Sequence, residues 1–206
     1  MRRFNNVLSR VFAATLLVAL ALASPSIAQT DHKVELSKIK IDNFGKITDN
    51  YYRGAQPKGP DYSDLAALGI KTVVNLTSDD SDATEKAMVE KAGMKYIQIP
   101  MTTHEPPTPG KITEFLSLAS NPESTPIYVH CVGGKHRTGI MTAIYRMANG
   151  GWTADQAFNE MKQYRFGADF LHKEFKSFVF TYYTDLAKTW KTPIEKTVVA
   201  SVKASN

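Results

Sequence analysis

"VHCVGGKHRTGI", Val129 to Ile140, combines an apolar strand end, a pair of glycines and a cluster of cations. It continues the apolar run Ile127 to Val129, which reads as a short buried strand. It holds the chain's single cysteine, Cys131, followed by Gly133, Gly134, Lys135 and Arg137. Beyond Arg137, the residues Ile140, Met141, Ile144, Tyr145 and Ala148 recur at helical spacing as far as Gly150 and Gly151. The stretch is therefore a strand, a tight loop and a helix. In open α/β sheets, sites lie beyond the carboxyl ends of strands, and Cys131 stands at such an end.

The loop residues suit one chemistry. Val132 to Arg137 span the gap between strand and helix, and Gly133 and Gly134 permit backbone conformations that turn successive N–H groups inward. The following helix contributes its positive dipole end, and Arg137 a planar fork for two oxygens of a tetrahedral anion. A lone cysteine is most often a small buried hydrophobe. Here the same field favours the thiolate, because a helix N-terminus and nearby cations lower a thiol pKa. His130 can fix the loop by hydrogen bonding. The expected reaction is attack of the Cys131 sulfur on a bound phosphoryl group, with Arg137 and the loop N–H groups holding charge on the equatorial oxygens. The Thr138 hydroxyl either donates to the sulfur as it leaves or is simply a helix N-terminal threonine.

Working outward, strands and helices alternate. "FGKITDNYYRGAQP" reads as short strands and a turn, "GPDYSDLAALG" as a helix closed by Gly69, and "IKTVVNL" as a buried strand. "SDATEKAMVEKAG" is a helix with Gly93 just past its end, and "MKYIQIP" another strand. Thr108 and Pro109 open a helix carrying Ile112, Phe115, Leu116 and Ala119, and Thr153 with Gln156 forms a capping-box pattern. From about Asp169 to Lys188, Leu171, Phe175, Phe178, Tyr182 and Leu186 form one stripe, expected to face a core. This predicts an α/β fold with a mostly parallel central sheet flanked by helices.

The ends read differently. "MRRFNNVLSR" carries three arginines and no acid, "VFAATLLVALALA" is apolar but too short for a comfortable membrane span, and Ser26 and Ala28 are spaced as at a cleavage site. Residues 1–28 are expected to be a secretory signal peptide, with a retained anchor as the alternative. Residues 29–43 are expected to be a loose lead-in, 44–189 the folded domain and 190–206 a mobile tail. The expected location is periplasmic or secreted, with no stable membrane insertion after cleavage. Cleavage removes the three arginines and lowers the formal charge from +5 to +2, which gives no argument for nucleic-acid binding. A single cysteine forms no internal disulfide, and no zinc spacing occurs, so no metal or cofactor is expected.

"HCVGGKHRTG" fits every defined position of the H-C-x-x-G-x-x-R-[ST]-G signature of the cysteine-dependent protein tyrosine phosphatase superfamily: His130, Cys131, Gly134, Arg137, Thr138 and Gly139. "YYRGAQP", "LAALGIKTVVNL", "GMKYIQIPM" and "WTADQAFNEMKQY" resemble its bacterial dual-specificity-like branch, and "GKHRTG" is similar to atypical plant and fungal members that act on inositol pyrophosphates. The resemblance covers roughly residues 44–187. It implies a dual-specificity-phosphatase-like fold, Cys131 as nucleophile, Arg137 as phosphate clamp and a metal-independent reaction. The substrate would be a phosphorylated protein or a small-molecule polyphosphate. Val132, Gly133, Gly134, Lys135 and His136 would line the phosphate site, with Lys135 either a second cation at its mouth or a solvated lysine. Arg53 either lines the same mouth or forms a structural ion pair.

One expected part is missing. The superfamily carries an aspartate general acid on a loop before the cysteine strand, and no Asp occurs between Asp82 and Asp155. In "IPMTTHEPPTPG" the first candidate is Glu105 and the second His104. Asp79, Asp80 and Asp82 are a third possibility. The missing Asp motivates a second reading, a phosphate-binding module with poor turnover. A third, a rhodanese-like sulfurtransferase, fits the set His130, Arg137 and Thr138 less well.

Overall fold

The computed structural model describes residues 36–78, 82–168 and 172–191. β1 (Gly45–Thr48) and β2 (Tyr51–Gly54) form an antiparallel hairpin. Then follow α1 (Asp61–Ala67), β3 (Thr72–Asn75), α2 (Glu85–Lys91), β4 (Lys95–Gln98), α3 (Pro109–Ser120) and β5 (Ile127–His130). Three helices close the order: α4 (His136–Gly150), α5 (Ala154–Gln163) and α6 (Lys173–Lys191). The five-stranded sheet runs β1-β2-β5-β3-β4, and every pairing except β1 with β2 is parallel. The mostly parallel α/β expectation holds.

β5 is the middle strand, which explains its composition. All four of its residues are buried, so it reads as an unbroken apolar run rather than an alternation. In register, Val129 sits between Arg53 of β2 and Val74 of β3, and His130 between Gly54 and Asn75. Paired residues share a face of a sheet and successive residues alternate. One face, with Tyr51, Ile127, Val129 and Cys131, joins the core of Phe115, Ile140, Ile144, Phe158 and Phe175. The other joins Tyr52, Tyr62, Leu65, Val73 and Val89, with Tyr128 stacked on His130. Burying a side chain such as Phe115 or Leu65 contributes about 2 kcal/mol. The two faces thus deliver two functional side chains, Cys131 from one and His130 from the other.

The helix ends follow their sequence signals. The Thr108 hydroxyl accepts the Lys111 amide with Pro109 at the first turn of α3, and Thr153 and Gln156 complete the capping box of α5. Gly69 and Gly93 end α1 and α2 in the left-handed region.

Four features differ from expectation. α4 begins at His136, so Arg137 belongs to its first turn rather than to the loop. α4 is also buried on nearly all sides from Arg137 to Ile144, because the sheet and α3, α5 and α6 surround it; its apolar stripe marks only part of its buried surface. In α6, Phe175 and Val179 are fully buried, while Phe178, Tyr182 and Leu186 pack at the margin of the core. The described part of the lead-in is packed rather than loose: one turn of 3-10 helix at Leu36–Lys38 precedes the buried Ile39 and Ile41. The signal-peptide reading of residues 1–28 and the start of the lead-in lie outside the described residues. So do Asp79, Asp80, Asp169, Leu171 and residues 192–206. Among the described residues, no helix is long and apolar enough to cross a membrane.

Candidate active site

Cys131 leaves the end of β5 and lines a cavity of about 270 Å³ together with Thr103, Val132, Gly133, Lys135, His136 and Arg137. Its own surface is 4% exposed. The loop can curl this tightly because of Gly134, whose φ is +63°. A Cβ there would collide with the Gly54 carbonyl and lie 2.7 Å from the Ala55 amide. The loop is therefore pressed onto the end of β2, and only glycine fits both the conformation and the space.

The loop is also held from behind. Asn43 Nδ2 donates to the Gly134 carbonyl at 2.8 Å and to the Tyr164 carbonyl at 2.9 Å. Asn43 adopts a left-handed conformation, which asparagine tolerates better than most residues. Arg53 Nη2 donates to the same Gly134 carbonyl. Carbonyls tied outward leave the loop N–H groups free to face the cavity, as an anion nest requires.

Arg137 is buried in the first turn of α4, and its Nη1 donates to the Met101 carbonyl at 3.2 Å. This fixes the guanidinium against the loop that follows β4. Thr138 is fully buried, and its hydroxyl has no hydrogen-bond partner. It is free to donate to an atom in the site.

His130 points to the other side of the sheet. Its Nε2 lies 3.1 Å from Glu85 Oε1, and both side chains are sealed from solvent. The ring nitrogen is not aligned for a hydrogen bond, so the contact is one of proximity. Glu85 Oε2 accepts from Asn75 Nδ2 at 2.6 Å, and the Tyr62 hydroxyl reaches Oε1 at 3.4 Å. Burial, and then the charge of Glu85, push the Tyr62 phenol pKa above its usual range.

Lys135 stands between two cavities. The second, of about 320 Å³, shares Val132, Gly133 and Lys135 with the first. It adds the cations Lys40, Lys58 and Arg165, with Asp42 and Asp61 on its wall. His136 lines the first cavity but is engaged elsewhere. Its Nε2 donates to the Phe166 carbonyl at 3.0 Å, and its ring centroid is 3.8 Å from that of His172. Burial and then the neighbouring His172 lower its pKa below the usual 6.5.

The structure gathers Cys131, Val132, Gly133, Lys135, His136 and Arg137 around one cavity and sets Gly134, Thr138 and His130 beneath or beside it. It does not bring Arg53 to the mouth. Arg53 is fully buried, over the Tyr164 ring at 4.0 Å, because its strand is interior and its side chain shares the core face with Val129. Glu105 and His104 are both exposed, and neither lines the Cys131 cavity; Thr103 is the residue of their loop that does. Asp82 instead accepts the Thr84 hydroxyl and amide, which lowers its pKa.

Sequence reasoning missed Asn43, Asn75, Glu85, Thr103 and Tyr164. Glu85 left a trace: it lies four residues before Val89, on the buried face of α2. Among the described residues, no cluster of three or more His, Cys, Asp or Glu side chains is arranged to hold a metal ion.

A family model described as "DSP-PTPase phosphatase fused to NAD+ Kinase" matches residues 27–177. The chain belongs to this DSP-PTPase family. It is 26% identical over 141 residues to the inositol diphosphatase SIW14 of Saccharomyces cerevisiae, covering 66% of this chain and 50% of that protein. It is 27% identical over 125 residues to the dual specificity protein phosphatase TpbA of Pseudomonas aeruginosa, covering 61% and 56%. The chain thus spans about half the length of these relatives. The crystal structure of the SIW14 core catalytic domain is similar in fold, with a TM-score of 0.61 and 23% identity, over 74% of this chain and 96% of that one. For P. aeruginosa TpbA the TM-score is 0.58 at 24% identity, over 71% and 91%.

Proposed function

We propose that this DSP-PTPase family member hydrolyses phosphate esters or phosphoanhydrides on a compact polyanion of the inositol-phosphate class, through a cysteinyl-phosphate at Cys131. The Cys131 thiolate attacks phosphorus, and the bond to the leaving oxygen breaks. Arg137 and the loop N–H groups hold the equatorial oxygens meanwhile. The leaving oxygen takes a proton from an acid on the Met101–Pro107 loop, with Glu105 first and His104 second. Water then loses a proton to the same loop group and attacks the cysteinyl-phosphate, inorganic phosphate departs, and Thr138 donates to the sulfur as it leaves. Glu105 is exposed and outside the cavity, so it would act only after the loop closes over substrate. A weakly positioned acid suits good leaving groups such as phosphoanhydrides.

The observation that carries the substrate class is the second, cationic cavity beside the first. A ligand with phosphates on neighbouring carbons can place one over Cys131 and another among Lys40, Lys58 and Arg165. The yeast relative's name, an inositol diphosphatase, agrees with this class, whereas the Pseudomonas relative's name points to phosphoproteins. Export to a periplasmic or secreted location, motivated by the N-terminal pattern, is part of the same proposal.

The test compares an inositol pyrophosphate with a phosphotyrosyl peptide in the wild type and in a Lys58→Ala/Arg165→Ala double variant. The expected result is preference for the inositol substrate and a roughly tenfold selective loss of it in the variant. Preference for the peptide, with both substrates unaffected by the substitutions, would replace this reading with a protein phosphatase.

A further inference from the structure

Arg53 is a buried cation without a carboxylate. Its side chain is 0% exposed, and among the described residues no acid lies within ion-pair distance of it. Glu160 is occupied by Arg146, which approaches it through Nε at 3.2 Å and Nη2 at 2.7 Å. One Arg53 nitrogen, Nη2, holds the Gly134 carbonyl, while Nε and Nη1 have no hydrogen-bond partner. Among the described residues, the guanidinium stacks on the Tyr164 ring alone, 4.0 Å away. Tyr164 reaches this position because Gly45 offers no side chain; a Cβ at Gly45 would collide with its hydroxyl and ring.

Such a group is costly. A buried charge is ordinarily paired, and an unpaired one is strongly destabilising. A guanidinium does not escape by losing its proton. The missing countercharge must therefore come from something else on this face of the sheet. Arg53 is in register with Val129, so its side chain shares a face with Val129 and, two residues on, with Cys131. Glu160 and Cys131 both act on Arg53 through space, but the Glu160 carboxylate is already engaged by Arg146, which leaves the anion held by the Cys131 loop as the uncommitted countercharge.

We propose that Arg53 is a positioning residue whose buried charge is balanced by the anion in the active site, so that the empty site stores an unpaired cation and a bound dianion relieves it. Arg53 does two things at once. Through Nη2 it turns the Gly134 carbonyl away from the cavity and so orients the nest. Through its charge it adds a fixed positive potential from below, where salt does not screen it. The chain thus has two arginines for one phosphate: Arg137 from the helix side and Arg53 from beneath, without contact. The inference rests on the reading of the loop as an oxyanion site.

The experiment measures binding of two simple oxyanions, tungstate as a dianion and perchlorate as a monoanion, by calorimetry or thermal shift. Wild type, Arg53→Met and Arg53→Lys are compared. The expected result is that Arg53→Met weakens tungstate more than tenfold but perchlorate no more than about threefold, while Arg53→Lys, which keeps the charge and loses the fork, stays within about threefold for both. Equal losses for both anions in Arg53→Met would reduce Arg53 to a loop prop and overturn the charge role. So would no loss at all, or a fall in the tungstate-to-perchlorate preference with Arg53→Lys. If Arg53→Met does not fold, the preference ratio in Arg53→Lys decides alone, in the same direction. Failure of the wild type to bind tungstate would instead overturn the oxyanion reading itself.

Discussion

The His130 ring nitrogen Nε2 lies 3.1 Å from Glu85 Oε1, with neither side chain open to solvent. The residue before Cys131 is thereby braced by a carboxylate more than forty positions earlier in the chain. Removing one member of a buried polar set leaves the others unsatisfied, which is costlier than losing the set whole. Glu85→Leu is expected to lower the unfolding free energy by about 3 kcal/mol in urea titration, because the buried Asn75 loses an acceptor and His130 its polar neighbour. Glu85→Gln, which keeps an oxygen acceptor, should cost about 1 kcal/mol. Equal stability of the two variants would contradict the network.

Two adjacent glycines should behave differently. The atoms nearest a Cβ at Gly133 belong to the flexible Lys135 side chain, at 3.7 Å, whereas one at Gly134 meets the Gly54 and Ala55 backbone at a φ of +63°. Gly134→Ala is expected to destabilise the fold by about 2 kcal/mol or more and to abolish turnover. Gly133→Ala should leave the melting temperature within a few degrees of wild type. Thermal melts of both variants check this.

Arg137 joins the phosphate site to the loop after β4 through the Met101 carbonyl. A lysine cannot supply both that bond and a bidentate fork. Arg137→Lys is expected to keep its far-ultraviolet circular dichroism and lose about 100-fold or more in kcat/KM toward an aryl phosphate. A loss below tenfold would remove the clamp role.

His136 gives a pH prediction. Its pKa is lowered in the fold, by burial first and by His172 second, so the unfolded chain takes up the proton before the native one does. Its contribution is intact above the usual 6.5 and is lost as pH falls below that value. The stability advantage of wild type over His136→Gln should therefore be larger at pH 8 than at pH 5, measured by thermal melts in one buffer series. A gap that does not change with pH would exclude His136 as the responsible group.

The acid on the Met101–Pro107 loop is tested by leaving group. Glu105→Gln is expected to slow hydrolysis most for esters of weakly acidic alcohols and least for nitrophenyl phosphate. Equal effects along the series would move the role to His104.

What was legible in the sequence is what is local in the chain. The loop from His130 to Gly139 carries its strand, glycines, clamp and helix start within ten residues, so its chemistry could be read without a fold. The same holds for the caps at Thr108 and Thr153. Asn43, Arg53 and Glu85 reach the loop only through strand order. β5 lies between β2 and β3, and nothing in the local sequence says so. Arg53 reads equally as a mouth residue or as half of a structural ion pair; its interior strand removes the first, and among the described residues it stacks on the Tyr164 ring with no acid in ion-pair distance. The stripe on α4 could not reveal that three further helices and the sheet bury the rest of it.

The covalent bond between Cys131 and phosphorus is the step on which the mechanism depends. Rapid quenching of the purified protein during turnover of an aryl phosphate, in the presence of EDTA, followed by mass analysis of the peptide carrying residue 131, detects it. A phosphorylated Cys131 peptide is expected in the wild type, with neither adduct nor turnover in Cys131→Ser. Undiminished turnover by Cys131→Ser, or a phosphate carried on another residue, would contradict it.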